Sequence, residues 1–209
     1  MKSNICKLNE DLNCLGTVLA EVEKVTAYNG LEDKKALRLR LLAEELCGML
    51  PGLIENFSGE FWAKNDGDNY ELHVELKADD MNFELRDELI SVSKSGKNAA
   101  AKGVMGKIRA VAETMLLVAA DPTLQIPLTT GEYYDCHGFN MGFGYIDPTT
   151  CFDAEYIYSW SLYNYKTAVE EKEADAYAEL ERSIVAKLAD DIIVGVAGKN
   201  VKIVVKKSF

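Results

Sequence analysis

Between Lys34 and Phe57 the chain reads KKALRLRLLAEELCGMLPGLIENF, and this stretch most restricts what the rest can fold into. Leu37, Leu41, Leu42, Leu46, Met49, Leu50 and Leu53 recur at three- and four-residue steps, which places them on one helical stripe. Leu39 and Ala43 widen the stripe, predicting a helix buried over more than half its circumference. Arg38, Arg40 and Glu44 fall on what remains. Pro51 lacks an amide hydrogen and its ring crowds the preceding turn, so the helix is expected to kink or stop near Leu50. Glu45 lies beside the apolar stripe and needs a partner, water or a ligand, because burying a lone carboxylate is costly.

An amphipathic helix of this kind needs a second layer, and the chain supplies strands. Glu60–Lys64 is one strand, Asn65-Asp66-Gly67-Asp68 a turn, and Tyr70–Lys77 the return strand. Leu72, Val74 and Leu76 alternate with His73, Glu75 and Lys77, which predicts one buried and one wet face and a solvated His73. A second hairpin closes the chain: Ile192–Val196, a Gly198-Lys199-Asn200 turn, then Val201–Lys206. Ser3–Leu8 reads as a short edge strand. Asn9 is a plausible N-cap, with Glu10 and Asp11 in the favourable first turn of a helix whose face is Leu12, Leu15, Leu19, Val22 and Val25. Asn29-Gly30 ends that helix, the glycine being free to turn left-handed.

The second half holds two more helical stretches. Val104, Ile108, Val111, Met115 and Val118 form a seam, with Gly103 and Gly106 in the first turns. Tyr165–Asp191 carries Tyr177, Leu180, Ile184 and Leu188 on one stripe. Between them, residues 121–164 hold Tyr133, Tyr134, Tyr145, Tyr156, Tyr158, Trp160 and Tyr163, and a run of glycines alternating with bulky residues. Such a segment is either a covering layer or a binding surface, since aromatics serve both cores and interfaces.

Composition narrows the function. Net charge is −11, which disfavours nucleic acid or an anionic membrane as partner. No apolar run is long enough to span a bilayer, and the first residues lack a signal-peptide core, so a cytoplasmic protein is expected. The five cysteines, Cys6, Cys14, Cys47, Cys136 and Cys151, are odd in number and contain no CxxC pair, which suits reduced core thiols. With only His73 and His137 for histidines, no metal site is expected. No GxSxG motif is present, which leaves a hydrolase reading without support.

A helix ending in Glu-Glu-Leu, a short loop and then a hairpin resembles the ATP-binding domain of the histidine-kinase-like superfamily. It looks closest to the stand-alone anti-sigma-factor serine kinases, from about Ile5 through Asp80, with a shorter echo from Tyr177 to Lys206. The resemblance implies a bacterial regulatory protein with an α+β fold. It would be a two-layer sandwich, a mixed or antiparallel sheet with helices on one face, forming a single domain over 1–209 with an insertion at about 121–164. It implies Glu45 as the catalytic acid, Asp79 as the adenine-binding aspartate, and Gly103 and Gly106 as the phosphate-binding turn. Asp79-Asp80 also suits the start of a loop, and close helix packing explains the two glycines equally well. Where the family has a magnesium-binding asparagine four residues after the acid, this chain has Met49, and a thioether is a poor magnesium ligand.

Two functions follow. The first is a non-catalytic regulatory or partner-binding protein on a degenerate form of this fold. It would need no cofactor and would bind a protein partner or a second copy through Tyr133, Tyr134 and Phe143. The second is an ATP-binding serine kinase or ATPase of the anti-sigma-factor type with a divergent site, taking ATP and magnesium.

Overall fold

The computed structural model describes residues 1–9, 13–53, 57–78, 108, 112, 115, 116, 158–163, 166 and 183–209. In chain order they form β1 (Cys6–Asn9), α1 (Leu15–Tyr28), α2 (Asp33–Leu53), β2 (Phe57–Asp66) and β3 (Asn69–Ala78). Then come β4 (Tyr158–Ser161), α3 (Ile184–Leu188), β5 (Asp191–Ala197) and β6 (Asn200–Ser208). The class is α+β. The six strands make one sheet in the order β1-β2-β3-β6-β5-β4, and every described pairing is antiparallel.

The two hairpins build the sheet's centre. Asp66 pairs with Asn69, leaving Gly67-Asp68 as a two-residue turn. Gly67 has φ 60°, a region most side chains avoid. The Asn65 amide donates to the carbonyls of Gly67 at 2.7 Å and Asn69 at 3.3 Å, which pins the turn. Gly198, at φ 57°, plays the same part between β5 and β6. β3 and β6 then pair along their length, which joins sequence-distant hairpins into one sheet.

Register sorts the side chains. Cys6, Phe61, Val74, Ile203 and Val194 are aligned across β1, β2, β3, β6 and β5. All belong to the contiguous core, together with Val18, Leu19, Val22 and Val25 of α1 and Leu39, Leu42, Ala43, Leu46, Cys47 and Leu50 of α2. The buried helical residues Ile108, Ala112, Met115 and Leu116 join the same core. Helices therefore cover this face, and period-2 burial in β3 follows the expected alternation. The described end of the segment 121–164 supplies β4, whose Trp160 backbone pairs with Val194, so that end is part of the main sheet.

Several expectations need correcting. The buried stripe of α2 is Leu39, Leu42, Ala43, Leu46, Cys47 and Leu50, while Leu37 and Leu41 are exposed. The run offers two overlapping leucine stripes. The one chosen brings in Ala43 and Cys47, small enough for close packing, and lets Arg40 reach Glu23 of α1 as an ion pair. α2 also runs through Pro51 to Leu53. The proline stands in the last turn, where it forfeits one helical hydrogen bond and no further turns depend on it.

Asn9 is no N-cap: it ends β1 opposite Ser58, and α1 starts at Leu15 after Cys14, which makes no side-chain cap bond. Ile184 is exposed, the α3 stripe falling instead on Val185 and Ala186. The end of α1 is as expected. Gly30 has φ 63°, its amide donates to Ala27 and that of Leu31 to Thr26, the double bond of a Schellman cap.

Candidate functional site

α2 turns its outer face to solvent. Leu37 is 55% exposed and Leu41 37%, one helical turn apart, an unusual loss of apolar burial for a helix so rich in core residues. Lys34, Arg38, Glu44, Glu45 and Gly48 are exposed on the same helix. No side-chain hydrogen bond or ion pair joins Lys34, Arg38, Glu44 or Glu45 to another described residue. Glu45 thus sits in water beside exposed leucine, neither desolvated nor oriented by a neighbour. Met49, one turn on, is half-buried and packs against the core.

The reverse face of the sheet carries a second constellation. Trp62, His73, Val204, Ile193 and Ser161 are register partners across β2, β3, β6, β5 and β4. Val204 and Ile193 are each only 2% exposed, although they lie outside the contiguous core. The His73 ring stacks on Trp62, centroids 4.9 Å apart and planes within 8°, and Lys2 Nζ lies 4.4 Å above the indole. His73 Nε2 is 3.0 Å from Glu71 Oε2, and Lys64 Nζ is 3.5 Å from the same oxygen. The His73 side chain is 13% exposed, and its Nδ1 is buried with no hydrogen-bond partner. The expected solvated histidine is therefore a covered one. Alternation along β3 put it on the polar face correctly, but the stacking partner lies on a neighbouring strand.

The His73 hydrogen bond holds the Glu71 carboxyl down at about 2, and the Lys64 and Lys206 charges add to this against the cost of burial. Beside the pair, Lys64, Asp66, Asn69, Tyr70, Glu71, Lys206, Lys207 and Ser208 line a shallow depression of about 310 Å³. Chemically this is a carboxylate–imidazole pair under an aromatic cap. Neither a described serine, threonine nor cysteine hydrogen-bonds to His73, so the pair has no nucleophile to activate among the described residues.

Two buried groups of the helix layer are structural. Glu21, 5% exposed on α1, accepts from the Asn4 amide at 3.1 Å and pairs with Lys24 at 2.6 Å. The Lys24 bond, with the Asn4 bonds, keeps its carboxyl below the usual range and ties the chain ahead of β1 to the helix. Cys6 and Cys47 are buried free thiols; burial raises the first and pushes the second up to about 12, which makes poor nucleophiles of both. Among the described residues no three metal-ligating side chains cluster, and no helix is long and apolar enough to cross a membrane.

Of the catalytic, nucleotide-binding and partner-binding residues expected from the sequence, only Glu45 belongs to the described part. Asp79, Gly103, Gly106, Tyr133, Tyr134 and Phe143 lie outside it, as do Cys136, Cys151 and His137. Sequence reasoning missed the Trp62–His73–Glu71 cluster, for which the signal was the pairing of an aromatic strand with a histidine strand across a two-residue turn. It also missed the exposed leucines of α2. No family model, no curated protein and no solved structure matches this chain.

Proposed function

We propose that the chain is a non-catalytic, partner-binding protein, with the outer face of α2 as its binding surface. The carrying observation is the Leu37–Leu41 pair, exposed at 55% and 37% on a helix that had core positions to offer them. Apolar side chains held in water beside unpaired charges are what a protein interface uses. Glu45 on this face is a solvated carboxylate, suited to pairing with a partner's cation and not to acting as a desolvated general base. Met49 at the position of a magnesium-binding oxygen supports the same reading. A degenerate histidine-kinase-like ATPase fold is the scaffold we favour, on the strength of the sequence resemblance. The helix-covered sheet and the helix-then-hairpin order are compatible with it.

If this face serves binding and not folding, it is dispensable for the fold. The double variant Leu37→Ser, Leu41→Ser is expected to keep the wild-type far-UV spectrum and a cooperative melt within a few degrees of it. Its collapse to an unfolded chain would show the leucines to be core and would remove the proposed surface.

The second reading, an ATP-binding serine kinase or ATPase of the anti-sigma-factor type, draws on the chain order of Glu45, Asp79, Gly103 and Gly106. It requires ATP and magnesium to bind, which would raise the melting temperature of the chain in a thermal-shift titration.

A further inference from the structure

We infer that the partner on the α2 face is a second copy of this chain, docked helix against helix in antiparallel orientation. This pairing rests on the partner-binding reading and adds the partner's identity and geometry. The charges on the face are ordered. Lys34 and Arg38 lie toward the N-terminal half of α2, Leu37 and Leu41 follow among them, and Glu44 and Glu45 come next, with Gly48 beyond. An antiparallel two-fold sets the basic half of one helix on the acidic half of the other and leucine on leucine. A parallel pairing would set like charge on like.

Local stability does not account for this order. Lys34 stands in the first turn of α2, where the helix dipole disfavours a cation. None of the four charges has a partner among the described residues, whereas Arg40 on the same helix is engaged with Glu23. Gly48 completes the surface: a Cβ there would meet nothing within 4 Å in the monomer, so its smallness serves nothing inside the chain. Across an interface it lets a facing helix approach.

Whole-body charge opposes any self-association, at −11 per copy. The α2 face largely escapes this: Lys34 and Arg38 balance Glu44 and Glu45, and only Asp33 at its N-terminal margin adds a further negative charge. At about 0.15 M salt, charges separated by more than about 8 Å are largely screened, while contacting pairs keep part of their attraction. A helix of 21 residues is about 31 Å long, so one helix pair makes a small interface and the dimer is expected to be weak, with micromolar dissociation.

The test is sedimentation equilibrium of the full chain in about 0.15 M salt, from about 5 to about 500 µM. Wild type is expected to show reversible monomer–dimer exchange. Lys34→Glu with Arg38→Glu gives an all-acidic face, and Glu44→Lys with Glu45→Lys an all-basic one. Each alone should dissociate about tenfold more readily, since symmetry turns four attractive pairs repulsive. Mixed in equal amounts, the two should form a heterodimer. The fourfold variant restores complementarity only in the antiparallel arrangement, so it should self-associate as wild type does and refuse to pair with wild type. Gly48→Arg, which the monomer has room for, should weaken the dimer without changing the far-UV spectrum.

A wild-type chain monomeric throughout, or charge variants that dimerise unchanged, would overturn the self-pairing. A fourfold variant that pairs preferentially with wild type would refute the antiparallel geometry. The self-pairing can fail while the leucine variant still folds normally, so it is separable from the partner-binding reading.

Discussion

Two leucines on one helix give the sharpest check on how α2 is phased against the sheet. Leu46 is 1% exposed and Leu41 37%. Truncating Leu46 to alanine removes three carbons from the core, at about 0.8 kcal/mol each, or roughly 2.4 kcal/mol of transfer free energy. The space left beside Leu42, Leu50 and the sheet cannot close fully, and such sites raise the cost to about 2.7–5 kcal/mol. Leu41→Ala makes the same chemical change in the same helix, with the same small gain in helix propensity. It opens onto solvent and leaves no cavity, so about 1 kcal/mol or less is expected. The difference, at least about 1.7 kcal/mol, isolates burial from every other property of leucine in a helix. Urea unfolding at about 0.1 µM chain, followed by tryptophan fluorescence and well below the micromolar dissociation expected of the dimer, reads both variants on one m-value. A Leu41→Ala cost equal to or above that of Leu46→Ala would refute the phase of α2. The exposed face and everything built on it would then fall.

Other expectations concern the sheet and its polar ties. A Cβ on Gly59 would stand 2.6 Å from the Glu75 carbonyl oxygen and from a Leu76 methyl, so Gly59→Ala is expected to cost more than about 2 kcal/mol by chemical denaturation. A cost near zero would mean that β2 and β3 lie further apart there. Glu71, depressed from 4.5 to about 2, stabilises the fold fully above pH 4.5, and that contribution is lost as pH falls toward 2. With a side chain 28% exposed, solvent screening leaves about 1–2 kcal/mol of the roughly 3.4 kcal/mol that the shift alone would carry. Glu71→Gln should flatten the stability–pH curve between pH 4.5 and 2 by that amount, and an unchanged slope would count against the His73 hydrogen bond. Glu21→Leu is expected to free the chain around Asn4 from α1, seen as faster amide exchange at Asn4, whose amide that carboxylate accepts. Unchanged protection at Asn4 would refute the tie.

Much of this layout was legible because its signals are local. The turn at Asn65–Asp68 and the glycine of the closing turn locate both hairpins to within a few residues, and Asn29-Gly30 stops α1. Phase and cover were harder. α2 has leucines on both sides of its axis, and only the tertiary partners decide which set goes inward: the sheet below, and Glu23 for Arg40. His73 reads as a wet residue because β3 alternates cleanly. Its cover comes from the Trp62 ring on the adjacent strand, a position that only register brings beside it. Asn9 carries the residue type of a cap, yet backbone pairing with Ser58 claims it for β1. The family resemblance was carried by residue types at intervals. Among the described residues it meets a solvated Glu45 and a half-buried Met49 packed against the core.

A thermal-shift titration with ATP, ADP and magnesium tests the central reading, a binding protein without nucleotide chemistry, most directly. A ligand bound only by the folded state raises the melting temperature as RT ln(1 + [L]/Kd). No magnesium-dependent rise is expected at millimolar ATP, because the sequence resemblance would set the sulfur of Met49 where the ion requires oxygen. A clear rise that a chelator abolishes would contradict the non-catalytic reading and make Glu45 the first residue to replace in a kinase or ATPase assay.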